Sequence, residues 1–366
     1  LFAIVIVLFF ITLFLFRSFS THREELKQRW VARGESALKA GRPEAALTSL
    51  RSALAYDPDD KQLQIELAEA LAASGRTEEA VAYFNTLLES LPGSGIIHLE
   101  LARLAARQGE QELAIEHYQA ALDGTWEGDG YIRRRETRLE LAKYLISQKR
   151  NEQARTHLLI AAGNAPDDPE IQITIAGLLE SAQDPANALN LYKKALLHKP
   201  VRFAALEGAG RTAYSLGRFQ EAKPFLERTL NHANFEKLTT DQQTEYRNML
   251  ADADHILLLY PEPDLSVRAR AERVLADRKI AQERLAACLS MKTEVPKPLQ
   301  DLANLWQMLP KTLSALDLEQ NPEREQAVMQ LVYETERVTS QQCGTPTGND
   351  ALLLKIAQNP EAVEQE

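Results

Sequence analysis

A fixed interval of 34 residues recurs in the early part of the chain. Glycine, alanine and proline each return at that interval, at Gly41, Gly75 and Gly109, at Ala46, Ala80 and Ala114, and at Pro58 and Pro92. A repeat of this length is one supersecondary unit that cannot bury its apolar face alone, so neighbouring units must stack. The interval therefore predicts an array of repeats in place of a single closed core.

The residue types at the repeated positions indicate helical hairpins. Glycine is predicted to end the first helix, because it adopts the left-handed conformation of a helix cap at little cost. Alanine is predicted at the start of the second helix, where a small side chain lets two backbones approach closely. Proline follows the second helix, since it cannot continue one. The chain is thus predicted to be all-α.

These columns resemble the tetratricopeptide repeat family over residues 27–236. Within a repeat region of 20–236, the resemblance implies a right-handed α-solenoid of about six helix pairs, at 27–60, 61–94, 95–128, 135–168, 169–202 and 203–236. It also implies that the first helix of each pair lines a concave face. The pattern departs from the family at Lys149 and Gln183, which replace glycine in the turns of the fourth and fifth pairs.

Residues 1–19 are predicted to be a transmembrane anchor. Residues 1–16 carry no charge, and a helix extended to Phe19 would rise about 28 Å, close to the bilayer hydrocarbon thickness of about 30 Å. The alternative is a removable signal peptide. Its apolar region would be shorter, and Ser18-Phe19-Ser20 is a poor cleavage site.

Two observations bear on the side of the membrane that the rest of the chain occupies. Basic residues crowd the membrane exit, which favours the cytoplasm by positive-inside counting; they are Arg17, Arg23, Lys27, Arg29 and Arg33. Single-anchor members of the family often face outward. Cys288 and Cys343 either form a disulfide in an oxidising compartment or remain free thiols. We expect a periplasmic or extracytoplasmic location, with the cytoplasm as the alternative.

Variable positions on the first helices predict a partner-binding groove. One column changes from acidic to basic along the chain, running Glu35, Glu69, Arg103, Lys143, Gly177 and Arg211. Arg107 adds to the basic part, and its apolar neighbours include Leu99, Leu139 and Tyr214. An acidic, partly apolar peptide or helix is predicted to bind there. The alternative is a mixed, solvated face, because it also carries Glu136, Glu170, Glu180 and Glu207.

An insertion at 123–134 interrupts the array. Its aromatic residues Trp126 and Tyr131 either fold back onto the third pair or protrude as an interface anchor, since aromatic side chains are enriched at binding hot spots. Arginines occupy 133–135 at a predicted helix start, where positive charge is unfavourable. This placement suggests an external acidic partner.

The chain beyond residue 236 predicts helices outside the repeat. A helix at 237–262, capped by Thr239 or Thr240, is expected to cover the last pair, because the terminal faces of such arrays need capping. Apolar stripes at helical spacing then predict a small α-helical bundle at 264–357, followed by a tail at 358–366.

The sequence offers no candidate catalytic, cofactor-binding or metal-binding residues, because phosphate-loop, zincin and dinucleotide-binding motifs are missing. The net charge of −10 disfavours nucleic acid as a partner. The predicted function is a non-catalytic, membrane-anchored interaction scaffold, an accessory or assembly subunit of a membrane complex. Its predicted partners are other proteins and the bilayer. The alternatives are an enzyme with its active site in the 264–357 bundle and an envelope polymer-binding protein.

Overall fold

The computed structural model describes residues 2–261, 264–310 and 312–359, and the side chains from residue 9 onward. The described residues form helices, turns and loops, with no β-strand among them. They divide into two compact units, one ending at Asn164 and the other beginning at Ala165. The predicted tail at 358–366 lies mostly outside the described residues.

The first unit consists of four helical hairpins. Its helices are α1 (Phe2–Lys39), α2 (Pro43–Leu54), α3 (Lys61–Ala73), α4 (Thr77–Ser90), α5 (Gly95–Gln108), α6 (Gln111–Asp123), α7 (Gly130–Ser147) and α8 (Asn151–Gly163). Each helix packs against the next one along the chain, and α3 also contacts α5. The hairpins therefore stack in chain order.

The second unit continues the hairpin pattern and then departs from it. Its helices are α9 (Pro169–Ser181), α10 (Pro185–Ala195), α11 (Phe203–Ser215), α12 (Phe219–Leu230), a 3₁₀ turn (Phe235–Lys237), α13 (Thr240–Leu259), α14 (Val267–Ser290), α15 (Lys297–Met308), α16 (Ala315–Glu319), α17 (Pro322–Cys343) and α18 (Asn349–Ala357). The helices from α9 to α13 pack consecutively, and α14 packs along α17. Thr239 caps α13 with a reciprocal capping box.

All six hairpin turns share one left-handed residue. Its φ angle is positive at Gly41, Gly75, Gly109 and Gly217, and is 61° at both Lys149 and Gln183. The turn geometry is therefore the same where glycine is missing. A non-glycine residue in this conformation costs roughly 1–2 kcal/mol, which the packing of those hairpins must offset.

The alanine column is buried in every hairpin. Its members have no exposed surface and are Ala46, Ala80, Ala114, Ala154, Ala188 and Ala222. A larger side chain at these positions would force the two helices apart, because protein interiors are close-packed. The column thus sets the spacing within each pair.

Helix α1 runs without a break through the predicted anchor and the first helix of the first pair. In the described part of the chain, no helix has both the length and the hydropathy that crossing a membrane requires. The predicted anchor at 1–19 falls partly on residues 1–8, whose side chains lie outside the described residues.

The apolar core of the second unit crosses the boundary that the sequence predicts near residue 263. Phe219 of α12 and Ala253 and Ile256 of α13 belong to the same buried cluster as Val274 and Val332 of the bundle. The bundle and the last hairpin therefore share a core within this unit. Helix α15 ends at Met308, and the short helix α16 begins at Ala315.

Candidate protein-interaction site

Arg103 lies between two neighbouring first helices, α5 and α7. Its Nε and Nη2 atoms donate to the two carboxylate oxygens of Glu140 at 2.7 and 2.6 Å, and its Nη1 atom donates to Glu100 at 2.6 Å. Burial opposes ionisation of Glu140, but the hydrogen bonds and charge of Arg103 outweigh it, and the pKa of Glu140 is lowered. Arg103 is therefore neutralised within the protein and is not a free cation.

Arg211 has the equivalent environment in the second unit. Its Nη2 atom donates to Glu180 of α9 at 2.8 Å, and Thr212 donates to the other oxygen of the same carboxylate at 2.6 Å. Tyr192 of α10 donates to Glu180 at 2.8 Å. This ion pair also joins two neighbouring first helices. Two of the three cations in the predicted basic column, Arg103 and Arg211, are thus paired with glutamates.

The acidic end of the column carries a carboxyl with an unusual environment. Burial raises the pKa of Glu69 to about 7, and the negative charges of Glu100 and Glu66 add to the effect while Arg103 opposes it. Glu69 is therefore only partly ionised at neutral pH. The predicted change from acidic to basic along the face is weaker than formal charges suggest.

Tyr214 holds the last hairpin to the helices that follow it. Its hydroxyl donates to Asp252 of α13 at 2.7 Å and accepts a hydrogen bond from Lys355 of α18, which in turn pairs with Asp252 at 2.6 Å. The side chain therefore has a structural role and is not available as an apolar groove residue.

The remaining groove residues divide by exposure. Leu99 is buried and Leu139 is half-buried, so both belong mainly to the packing between helices. Arg107 and Lys143 are exposed, and neither forms an ion pair within the described residues. The structure therefore leaves these two cations, on α5 and α7, as the part of the predicted basic column that a partner could contact.

The tetratricopeptide repeat family model matches residues 31–95, 73–129 and 173–234. Residues 31–129 and 173–234 therefore contain tetratricopeptide repeats. The match does not extend to the α7–α8 hairpin, which nevertheless has the same left-handed turn, at Lys149, and the same buried alanine, Ala154. Tetratricopeptide repeats are protein-interaction scaffolds, and both units contain them.

Several solved structures are similar to the chain. PilF of Pseudomonas aeruginosa is 17% identical with a TM-score of 0.43, over 62% of this chain and 99% of that one. PilW, described as a widely conserved type IV pilus biogenesis factor, is 19% identical with a TM-score of 0.42, over 60% and 97%. YrrB, described as a TPR protein with an unusual peptide-binding site, is 17% identical with a TM-score of 0.38, over 50% and 91%. No curated protein matches the chain.

The two aromatic residues of the insertion at 123–134, Trp126 and Tyr131, have different environments. Trp126 folds back, donating from Nε1 to the carbonyl of Ala121 at 2.9 Å and covering Gly95 so closely that a Cβ there would lie 2.4 Å from the indole. Tyr131, in contrast, is 83% exposed. Trp126 therefore caps the third repeat, and only Tyr131 is placed to contact another molecule.

One arginine of the 133–135 cluster is used within the insertion. Arg134 donates to the carbonyls of Leu122 and Gly124 at 3.1 and 2.8 Å, which fixes the loop against the end of α6. This contact explains a positive charge at a helix start without an external partner.

The two cysteines form a disulfide that joins α14 to the end of α17. The bond links Cys288 and Cys343, whose Cα atoms are 5.7 Å apart. It closes a loop of 55 residues within the bundle. Of the two alternatives that the sequence left open, the structure has the disulfide and not two free thiols.

Sequence reasoning missed Glu100 and Glu140, the partners of Arg103. A signal was present in the spacing. Arg211 pairs with a glutamate 31 residues away, and Arg103 pairs with one 37 residues away, which is also 31 once the six inserted residues are discounted. This separation is the repeat length less one helical turn, so it brings side chains of adjacent first helices together.

Proposed function

We propose that this protein is a non-catalytic scaffold that binds a protein partner through its tetratricopeptide repeats as a subunit or assembly factor of a membrane complex. The observation that carries the proposal is the ordered stacking of hairpins within each unit. Ion pairs such as Arg103–Glu140 and Arg211–Glu180 hold neighbouring first helices in register. A surface held in this way can bind an extended segment with little loss of its own conformational entropy.

The proposed contact region is the exposed face of α5 and α7 around Arg107 and Lys143. Both side chains project their charge into solvent, while the neighbouring Arg103 is already satisfied. A partner segment with acidic side chains fits this local charge. Tyr131, near the start of α7, offers an exposed aromatic contact on the same helix.

Membrane anchoring through residues 1–19 and an extracytoplasmic location are part of the proposal. The uncharged sequence of residues 1–16 supports the anchor. The Cys288–Cys343 disulfide supports an oxidising compartment, because disulfides are rare in the cytosol. The continuous helix α1 would then hold the first repeat at a fixed distance from the bilayer.

An enzyme with its active site in the bundle is the alternative function. Burial raises the pKa of Asp277 and of Glu336 to about 8 in each case, which is the kind of shift that functional sites show. Both side chains are completely buried, so a substrate could reach neither without movement of the helices. This burial favours the scaffold over the enzyme.

Site-specific photocrosslinking in native membranes tests the proposal. A photoreactive residue is placed at Arg107 or Lys143 in the full-length chain, and matched controls carry it at Asn85 or Gln153, which are exposed on second helices. Mild-detergent extraction and mass spectrometry then identify the products. We expect one protein to be captured from the first-helix positions and not from the controls. Capture from the controls alone, or recovery of an uncomplexed monomer, would refute the proposal.

A further inference from the structure

A cleft in the bundle combines a buried cation with an apolar wall. It has a volume of about 870 Å³ and lies between α14, α15 and the segment that leads into α16. Its polar side includes Arg278, Lys279 and Asp317, and its apolar side includes Leu275, Trp306 and Leu313. The volume is within the range of roughly 300–1,000 Å³ that is typical of binding sites for small ligands and side chains.

Arg278 is the unusual member of this cleft. The residue is only 8% exposed, and Nη2 donates to the carbonyl of Pro310 at 2.8 Å, but Nε has no hydrogen-bond partner among the described residues. The described residues also supply no carboxylate to pair with it. A buried guanidinium without a counter-ion is costly, whereas a carboxylate can accept two parallel hydrogen bonds from one.

The nearby acidic groups do not supply that counter-ion. Asp277 precedes Arg278 but is completely buried, and burial raises its pKa to about 8, so it is mostly neutral at pH 7. Asp317 lines the cleft, but one of its oxygens already accepts from the backbone and hydroxyl of Ser314 at 2.8 and 2.6 Å. Lys279 adds a second positive charge at the rim, where it also pairs with Glu283 at 3.9 Å, so the residues that line the cleft carry two positive charges against the single negative charge of Asp317.

We propose that this cleft binds the C-terminal residue of a protein partner, with the terminal carboxylate on Arg278 and an apolar side chain against Trp306 and Leu313. The site is separate from the repeats and adds a second contact to the proposed scaffold function. A single terminal residue presents both required groups a few ångströms apart. Inorganic phosphate would satisfy Arg278 but would leave the apolar wall without a partner.

Two fluorescein-labelled hexapeptides, Gly-Ser-Gly-Ala-Ala-Leu with a free carboxylate or with a terminal amide, serve as probes of the full-length chain by fluorescence anisotropy. We expect the carboxylate peptide to bind at least tenfold more tightly than the amide. Arg278→Gln should remove that difference. Inorganic phosphate should displace the peptide only at concentrations far above the peptide Kd.

The chain provides a matched pair of charge reversals on one helix. Lys279 and Arg268 of α14 each have side chains that are 78% exposed, and each pairs with a glutamate four residues later. Only Lys279 lines the cleft. We expect Lys279→Glu to weaken the carboxylate peptide about threefold to tenfold and Arg268→Glu to change its affinity less than twofold. These surface variants remain informative if Arg278→Gln does not fold.

Three results would overturn the inference: no binding of the carboxylate peptide, equal binding of the two peptides, or equal effects of Lys279→Glu and Arg268→Glu. Displacement by phosphate at concentrations near the peptide Kd would assign the cleft to a simple anion instead. None of these results would change crosslinking from Arg107 or Lys143, so failure of this site is distinguishable from failure of the proposed scaffold function.

Discussion

Glu336 should make the stability of the protein depend on pH in an unusual direction. The side chain lies on α17 and is completely buried. Burial raises its pKa to about 8 from the usual 4.5, the negative charge of Asp350 on α18 adds to the effect, and Arg284 on α14 opposes it. At neutral pH the folded protein therefore keeps a proton on Glu336 that the unfolded chain releases.

The sign and the size follow from this difference in proton binding. Because the unfolded state ionises first, the free energy of unfolding falls as pH rises from about 4.5 to about 8. At about 1.4 kcal/mol per pH unit, the two pKa values set an upper limit of about 5 kcal/mol on the loss. Glu336→Gln stays neutral throughout and should lose this dependence. The variant should gain stability relative to the native protein as the pH is raised from 5 to 8.

Urea unfolding at pH 5 and pH 8, followed by far-UV circular dichroism, measures the effect. Glu334→Gln on the same helix is the control, because its side chain is 46% exposed and pairs with Arg337 at the surface. It should shift the free energy of unfolding by well under 1 kcal/mol at either pH. If the difference between the native protein and Glu336→Gln is the same at both pH values, Glu336 does not hold its proton in the folded state.

Three further variants test a packing contact, a turn conformation and the disulfide, each by urea or thermal unfolding. Gly208→Ala should cost about 1–3 kcal/mol, because the new Cβ would lie 2.4 Å from the ring of the buried Tyr192; an unchanged midpoint would contradict that contact. Gly75→Ala should cost about 1–2 kcal/mol through its φ of +81° alone, since nothing lies within 4 Å of the added Cβ. Replacing Cys288 and Cys343 by serine should cost about 4 kcal/mol, as expected for a 55-residue loop, and should abolish the effect of a reducing agent on the melting temperature.

The sequence predicted the hairpins because their determinants are local. A glycine in the turn indicates a left-handed backbone conformation, and an alanine at the helix contact indicates close helix spacing. The structure has both columns at these predicted positions. Lys149 and Gln183 show the limit of this reasoning. Their turns have the same left-handed residue although neither side chain favours it. There the packing of the hairpin determines the turn, and a single residue does not reveal it.

The candidate site was harder to predict because charge on a face does not reveal how charges pair. Arg103 and Arg211 were expected to be available cations, yet each is bound to glutamates of the same unit. Such pairs join adjacent first helices, so they depend on the offset between repeats as well as on the repeat length. Arg107 and Lys143 remain candidates because both are exposed and neither forms an ion pair among the described residues.

The C-terminal helices were predicted as a separate bundle, but the last hairpin requires them. The end of a repeat array exposes an apolar face that has no further repeat to cover it. In the second unit, Phe219 of that hairpin is only 5% exposed because it shares a core with α13 and the bundle helices. Lys355 of α18 reaches back to Tyr214 and Asp252, which adds a polar link between the same elements. The bundle therefore covers the end of the array. The disulfide and the cationic cleft both lie in this capping part of the protein.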